Sequence, residues 1–220
     1  MPEFSLTDGA VELLLIRHAE AKPNPGASLE KAAYLDLPLN ARGREQARAL
    51  GARLAKVKLA TIYSSPLKRT AETAKAISIA TKRAIAYDER LREVEIGSTD
   101  EPVHPAEFGA HLDRLAELAI SHGGWSQIPG TERSESIRKR MRESVAAIAE
   151  GHAGQRIAIV SHAGAINAFF ADVIGLQSDF FFPTANASIS IVRARGDKLL
   201  LVGLNDVGHL QELREPRAAK

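Results

Sequence analysis

The sequence predicts an α/β fold: a three-layer α/β/α arrangement with a mostly parallel central sheet and a small insertion capping the carboxyl edge of the strands. Three observations predict it. Two short, nearly continuous apolar runs, "VELLLI" (11–16) and "RIAIVS" (156–161), have the pattern of strands covered on both faces of a sheet. Between them, apolar residues recur at helical spacing instead. Strand-like and helix-like segments alternate along the chain, the order that builds a parallel sheet with helices on its faces.

After the first strand, Ala47, Leu50 and Leu54 fall on one face of a helix running from Asn40 to Lys56, with Asn40 as its N-cap. "ATIYSS" (60–65) is a weaker strand, and behind Ser65 the residue Pro66 takes the first position of a helix through "LKRTAETAKAI". "AIAYD" (84–88) is a second weak strand. Phe108, Leu112, Leu115 and Ala119 mark one helix, and Ile137, Met141, Val145 and Ile148 mark another. A third begins near Gly164 and stops near Gly175, where glycine suits the C-cap. The chain closes with "ASISIVRARGDKLLLVGL", two strand-like runs around Gly196-Asp197 that signal a hairpin.

At 220 residues the chain fits one domain, placed at 11–215 behind a flexible leader at 1–10. From Ile96 to Gly130 it is rich in Gly, Pro and His around a single helix, so 97–130 reads as a cap insertion and not as a second domain. Lys and Arg number 29 against 27 Asp and Glu, interleaved along helices such as "ARGREQARALGARLAK" and "TERSESIRKRMRES" in the manner of solvated faces. That pattern argues against a nucleic-acid partner. The absence of cysteine excludes disulfides, thiolate nucleophiles and Cys-bound zinc. The first ten residues lack the basic start and apolar core of a secretory signal, and no run reaches the roughly 20 apolar residues of a membrane span. A cytoplasmic protein with no membrane partner is expected. Its oligomeric state stays open, because no exposed apolar stripe is legible in the sequence.

Ligands of open α/β sheets gather at the carboxyl ends of the strands, where helix amino termini also point. There the first strand carries Arg17-His18, "RIAIVS" carries His162-Ala163-Gly164, and "ATIYSS" leads into a helix whose first turns hold Lys68 and Arg69. Two arginines and two histidines on one rim suit a phosphoryl group, since guanidinium groups grip oxyanions with forked hydrogen bonds. No acid is expected to neutralise them nearby. Each residue alone has an ordinary reading: a histidine after a strand is most often half-buried and satisfied, and an arginine in a first helical turn is most often solvated. For Arg69 the positive helix terminus disfavours a cation unless an anion sits there.

Five segments, in order, resemble the histidine phosphatase superfamily, the phosphoglycerate mutase-like group: "LIRHAE", "LPLNARGREQARALGARL", "IYSSPLKRTAETA", "LREVEIG" and "VSHAGAINAFF". The resemblance runs from about Leu13 to Leu210. It implies a metal-independent reaction without cofactors, in which His18 attacks phosphorus and carries it as phosphohistidine. It further implies that Arg17, Arg69 and His162 hold the phosphoryl oxygens, with Ala163 beside them and Asn24 assisting. Glu93 takes the place of the acid that protonates the leaving oxygen and later activates water. Glu95 is its rival two residues on, with Asp100 and Glu101 further away; the register Leu91 to Gly97 selects Glu93.

Two departures stand out. Ala19 occupies a position where the family signature has glycine, which crowds a backbone that approaches the phosphate. "GSTDE" (97–101) replaces a Gly-x-Trp-Glu-Gly pattern of broad phosphatases, so the substrate wall is the chain's own. The resemblance leaves three activities open: a phosphatase acting on a phosphorylated small molecule or side chain, a phosphoglycerate mutase-type isomerase, and a phosphate-binding module without turnover. The modest interval between the acid and the second histidine favours hydrolysis over isomerisation, and retention of both groups disfavours the module. His209 reads as structural, and His104, His111, His122 and His152 carry no assigned role.

Overall fold

A computed structural model describes residues 2–23, 35–96 and 107–213. Six strands form one sheet: β1 (Val11–Arg17), β2 (Thr61–Ser64), β3 (Ile85–Tyr87), β4 (Arg156–Ser161), β5 (Ile189–Arg195) and β6 (Lys198–Asp206), in the order β3-β2-β4-β1-β5-β6. The first four are mutually parallel, while β5 and β6 close the far edge antiparallel. The two residues between β5 and β6, Gly196 and Asp197, are too short a link for anything but an antiparallel hairpin, and Gly196 supplies the required positive φ of 59°.

Alternation along β1 divides the core into two clusters, as a period of two requires. Leu13 and Leu15 pack on one face with Ile137, Met141 and Val145 of α4 (Ser134–Glu150) and with α5 (Ala163–Val173). Leu14 and Ile16 pack on the other with Ala47 and Leu50 of α1 (Ala41–Leu54) and Ile77 of α2 (Lys68–Thr81). Helices thus cover both faces, and each fully buried Leu or Ile contributes about 2 kcal/mol relative to exposure. The remaining helix, α3 (Phe108–Ser121), puts Leu115 and Ala119 into the first cluster, sharing the core of the domain. A bridge between Ile96 and Thr131 joins the two ends of the 97–130 segment, of which residues 97–106 lie outside the described residues. No helix among the described residues is long and apolar enough to cross a membrane.

Three sequence expectations need correction. The leader forms two short 3-10 turns, Pro2–Phe4 and Leu6–Asp8, with Phe4 only 5% exposed and its carbonyl accepting from Arg193 of β5. The buried Phe4 ring and the bonds from Arg193 and Arg195 to the Phe4 and Glu3 carbonyls dock it against β5. The helix expected from Pro66 begins at Lys68, because the Ser65 hydroxyl serves a buried imidazole and Leu67 caps without a side-chain bond. Finally, α4 is not a solvated face throughout: Arg138 and Arg140 have side chains only 18% exposed and form ion pairs with Asp179 and Glu132.

Candidate active site

Register between β1 and β4 builds the centre of the site. Arg17 pairs with Ser161, so His18 and His162, each one residue past its strand, leave the sheet side by side. The His18 N–H donates to the Ser161 carbonyl at 3.0 Å, and the two rings meet edge-on with centroids 5.1 Å apart. That distance is close to the spacing of adjacent strands.

His18 is held on every side. Its carbonyl accepts from the Ala187 N–H and from Asn186 Nδ2, at 3.2 and 3.1 Å. The following loop is pinned by Ala19 N–H to Thr73 Oγ1 and Glu20 N–H to Gln46 Oε1 of α1. The first turn of α1 comes so close that a Cβ on Gly43 would lie 2.0 Å from the Glu20 carbonyl, which makes glycine obligatory there. The Ala19 methyl faces the second core cluster and is fully buried, so the departure from glycine is absorbed by packing.

The imidazole is fixed in one tautomer. His18 Nδ1 lies 2.7 Å from the Ala19 carbonyl, which can only accept, so Nδ1 carries the proton and Nε2 keeps its lone pair. Burial, then the charges of Arg69 and Arg17, push His18 well below the usual imidazole range despite the opposing carbonyl. His162 is also pushed well below that range, by burial first and then by Arg69, His18, Arg140 and Arg17. Its Nε2 meets Ser65 Oγ at 2.9 Å, and Ser65 Oγ also accepts from the Leu67 N–H at 3.4 Å. The hydroxyl proton is then free to point at Nε2, which leaves the proton of His162 on Nδ1, a buried atom without a partner.

Arg17 donates through Nη1 to the Thr184 carbonyl, and Asn167 Nδ2 holds the Thr184 hydroxyl at 2.6 Å. Its Nε is buried and unpartnered. Arg69 Nη1 donates to the Leu35 carbonyl at 2.8 Å. Burial shifts both guanidinium groups below their ordinary range; Glu93 opposes this in each, and Arg69 adds its repulsion at Arg17. An acid does approach this rim: Asp36 Oδ1 accepts from the Lys68 N–H at 2.7 Å, giving the start of α2 the anion that favours a helix amino terminus.

Glu93 reaches the same point from an irregular segment. Its Oε1 accepts from Val94 N–H at 3.0 Å and Ala165 N–H at 3.1 Å, and Oε2 from Gly164 N–H at 3.3 Å. A Cβ on Gly164 would sit 2.8 Å from Glu93 Oε1, so only glycine admits the carboxylate to the first turn of α5. Ala163 opens that helix, and its N–H is one that a helix leaves without an internal partner. His18, Arg69, Glu93, Glu95, Leu112 and Arg140 are among the residues lining a cleft of about 970 Å³.

The structure therefore brings together Arg17, His18, Arg69, Glu93, His162 and Ala163. Glu95 is exposed along the cleft and makes no bond to the start of α5. Asn24, His104 and the 97–101 departure lie outside the described residues. Ser65, Asn167, Thr184 and Arg140 escaped the sequence reading. Small polar residues and one arginine among several on a helix carry no individual pattern, and only the fold shows what they touch.

A parallel α/β sheet presenting paired histidines and arginines at its carboxyl edge defines a phosphoryl-handling protein, and the chain belongs to the histidine phosphatase superfamily (branch 1), whose sequence pattern matches residues 13–207. It is similar to phosphoserine phosphatase 1 of Hydrogenobacter thermophilus, 28% identical over 211 residues that cover 92% of this chain and 95% of that one. Among solved structures, YhfR of Bacillus stearothermophilus superimposes with a TM-score of 0.75 at 28% identity, covering 91% of this chain and all of that chain (100%). A mycobacterial glucosyl-3-phosphoglycerate phosphatase superimposes with a TM-score of 0.71 at 26% identity, covering 89% and 99%.

Proposed function

We propose that the protein is a phosphoric monoester hydrolase acting through a phosphohistidine on a small phosphorylated metabolite or phosphorylated side chain. The observation that carries this is His18 with Nδ1 held by the Ala19 carbonyl and Nε2 free, its ring centroid 5.1 Å from that of His162, beside two half-buried arginines. The relatives named as phosphatases of phosphorylated small molecules support it. Nε2 attacks phosphorus as the bond to the leaving oxygen breaks, while Arg17, Arg69, the Nδ1–H of His162 and the Ala163 N–H hold the phosphoryl oxygens. Asn24 is a further proposed contact. Charge spreads onto those oxygens in a loose transition state, so preplaced donors supply most of the rate.

Glu93, protonated, gives its proton to the leaving oxygen. As a carboxylate it then takes a proton from the water that attacks phosphorus, the P–N bond breaks, and His18 is restored. The modest interval of sequence between Glu93 and His162 favours hydrolysis over isomerisation. The test is hydrolysis of 4-nitrophenyl phosphate with His18→Ala, expected to lower kcat by about 10⁴-fold or more. Wild-type protein should carry an alkali-stable, acid-labile phosphoryl label that the variant lacks. Turnover of 3-phosphoglycerate with its bisphosphate, without hydrolysis, would point to the isomerase. No turnover of either would point to the binding module.

A further inference from the structure

We infer that Arg140, backed by Glu132, is the positioning residue that aims Glu93 at the leaving oxygen, an inference resting on Glu93 as the acid. The segment 92–95 has no regular structure, lying between a short 3-10 turn (Glu89–Leu91) and the isolated bridge at Ile96. No sheet ladder or helix fixes the backbone that bears the acid. Arg140 does so from α4: Nη1 donates to the carbonyls of Arg90 and Arg92, both at 2.7 Å, and Nη2 to the carbonyl of Glu93 at 3.3 Å. The rest of the guanidinium is locked to Glu132, Nε to Oε1 at 2.7 Å and Nη2 to Oε2 at 2.8 Å.

Five donors thus meet five acceptors, two of them backbone carbonyls of the segment 92–95 and a third the carbonyl of Arg90 in the turn before it. Glu132 grips the same segment from its other side, with its N–H donating to the Glu95 carbonyl at 2.7 Å. The carboxylate end of Glu93 is meanwhile fixed by the Gly164 and Ala165 N–H groups. Backbone and carboxylate are therefore anchored independently, and Arg140 ties the first to α4 alongside the buried side chains of Leu91 and Val94 and the bond from Ser161 Oγ to the Leu91 carbonyl. A lysine has neither the planar fork nor enough directed donors to replace it.

The experiment compares kcat/KM, which reports phosphoryl transfer to His18, for two substrates. Phenyl phosphate needs its leaving oxygen protonated, and 2,4-dinitrophenyl phosphate does not. Arg140→Met should lose about 10²-fold on phenyl phosphate, the scale of a misplacement near 1 Å, and less than about threefold on the dinitrophenyl ester. Arg140→Lys should fall between wild type and Arg140→Met. Glu93→Gln must show the same selective loss. If it does not, the acid assignment fails and the inference with it. If Glu93→Gln is selective but Arg140→Met loses equally on both substrates, Arg140 is merely structural and the inference alone is overturned. Should Arg140→Met not fold, Glu132→Gln decides in its place: a selective loss of about tenfold supports positioning, and an equal loss overturns it.

Discussion

The two ends of β1 handle buried charge in opposite ways. At the amino end Glu12, 8% exposed, lies directly across from Arg156 on β4 and Arg193 on β5. Its carboxylate accepts from Arg156 Nε at 2.6 Å and from Arg193 Nε and Nη2 at 2.9 and 2.7 Å. Burial alone would raise its pKa, and the two arginines more than reverse that, holding it below the ordinary carboxylate value. Five residues on, Arg17 faces Ser161, keeps Nε without a partner, and feels the repulsion of Arg69. The same strand therefore pairs its charge at the amino end and leaves cations in excess at the carboxyl end, where we propose that a phosphoryl group is received. Like charges held close together are costly, and their persistence at this end supports the proposed site.

The largest effect that sharpens this contrast is on catalysis. Arg17→Met and Arg69→Met should each lower kcat/KM for an aryl phosphate by about 10³-fold, the scale of losing a donor to the transition state. Neither should lower the melting temperature, since each removes one of two mutually repelling half-buried cations. A parallel drop in melting temperature would break the comparison by showing that these arginines hold the fold together.

Glu12→Gln should do the reverse: kcat/KM within about twofold of wild type, and a stability loss of about 2 kcal/mol in urea unfolding. The figure is below that for a fully enclosed pair because the Arg156 and Arg193 side chains are 38% and 32% exposed and water screens them. The pH dependence follows from the depressed pKa. The contribution of Glu12 is complete above the ordinary carboxylate value of 4.5 and is lost as pH falls through the lower folded value. The gap between wild type and Glu12→Gln should therefore close below about pH 4.5.

The contrast also shows how much the sequence made legible. The apolar runs of β1 and β4, with helical periods between them, were enough for a layered fold, and the histidines at their ends located the rim. Strand order was not readable, because nothing local tells β1 that β4 and β5 are its neighbours. For that reason the partners of Glu12 were invisible, lying 144 and 181 residues away. Arg138 and Arg140 looked like any charged helix face until Asp179 and Glu132 were placed against them. Phe4 docked a leader whose composition suggested a loose end.

The smallest effect concerns a polar group that the rim does satisfy. His162 is fully buried, and the Ser65 hydroxyl is the partner of its Nε2. Ser65→Ala removes the hydrogen bond that places the proton on Nδ1 and orients the ring, so kcat/KM for an aryl phosphate should fall by about tenfold, equivalent to one hydrogen bond. The backbone position of His162 should persist, because the pairing of Arg17 with Ser161 sets it. The loss therefore ought to leave the melting temperature nearly unchanged while lowering the rate, since without the Ser65 proton both ring nitrogens compete for one hydrogen and the Nδ1–H tautomer is only partly populated. A rate equal to wild type would mean that strand register alone orients the imidazole, and the rim would then owe its chemistry to its cations and not to the network behind them.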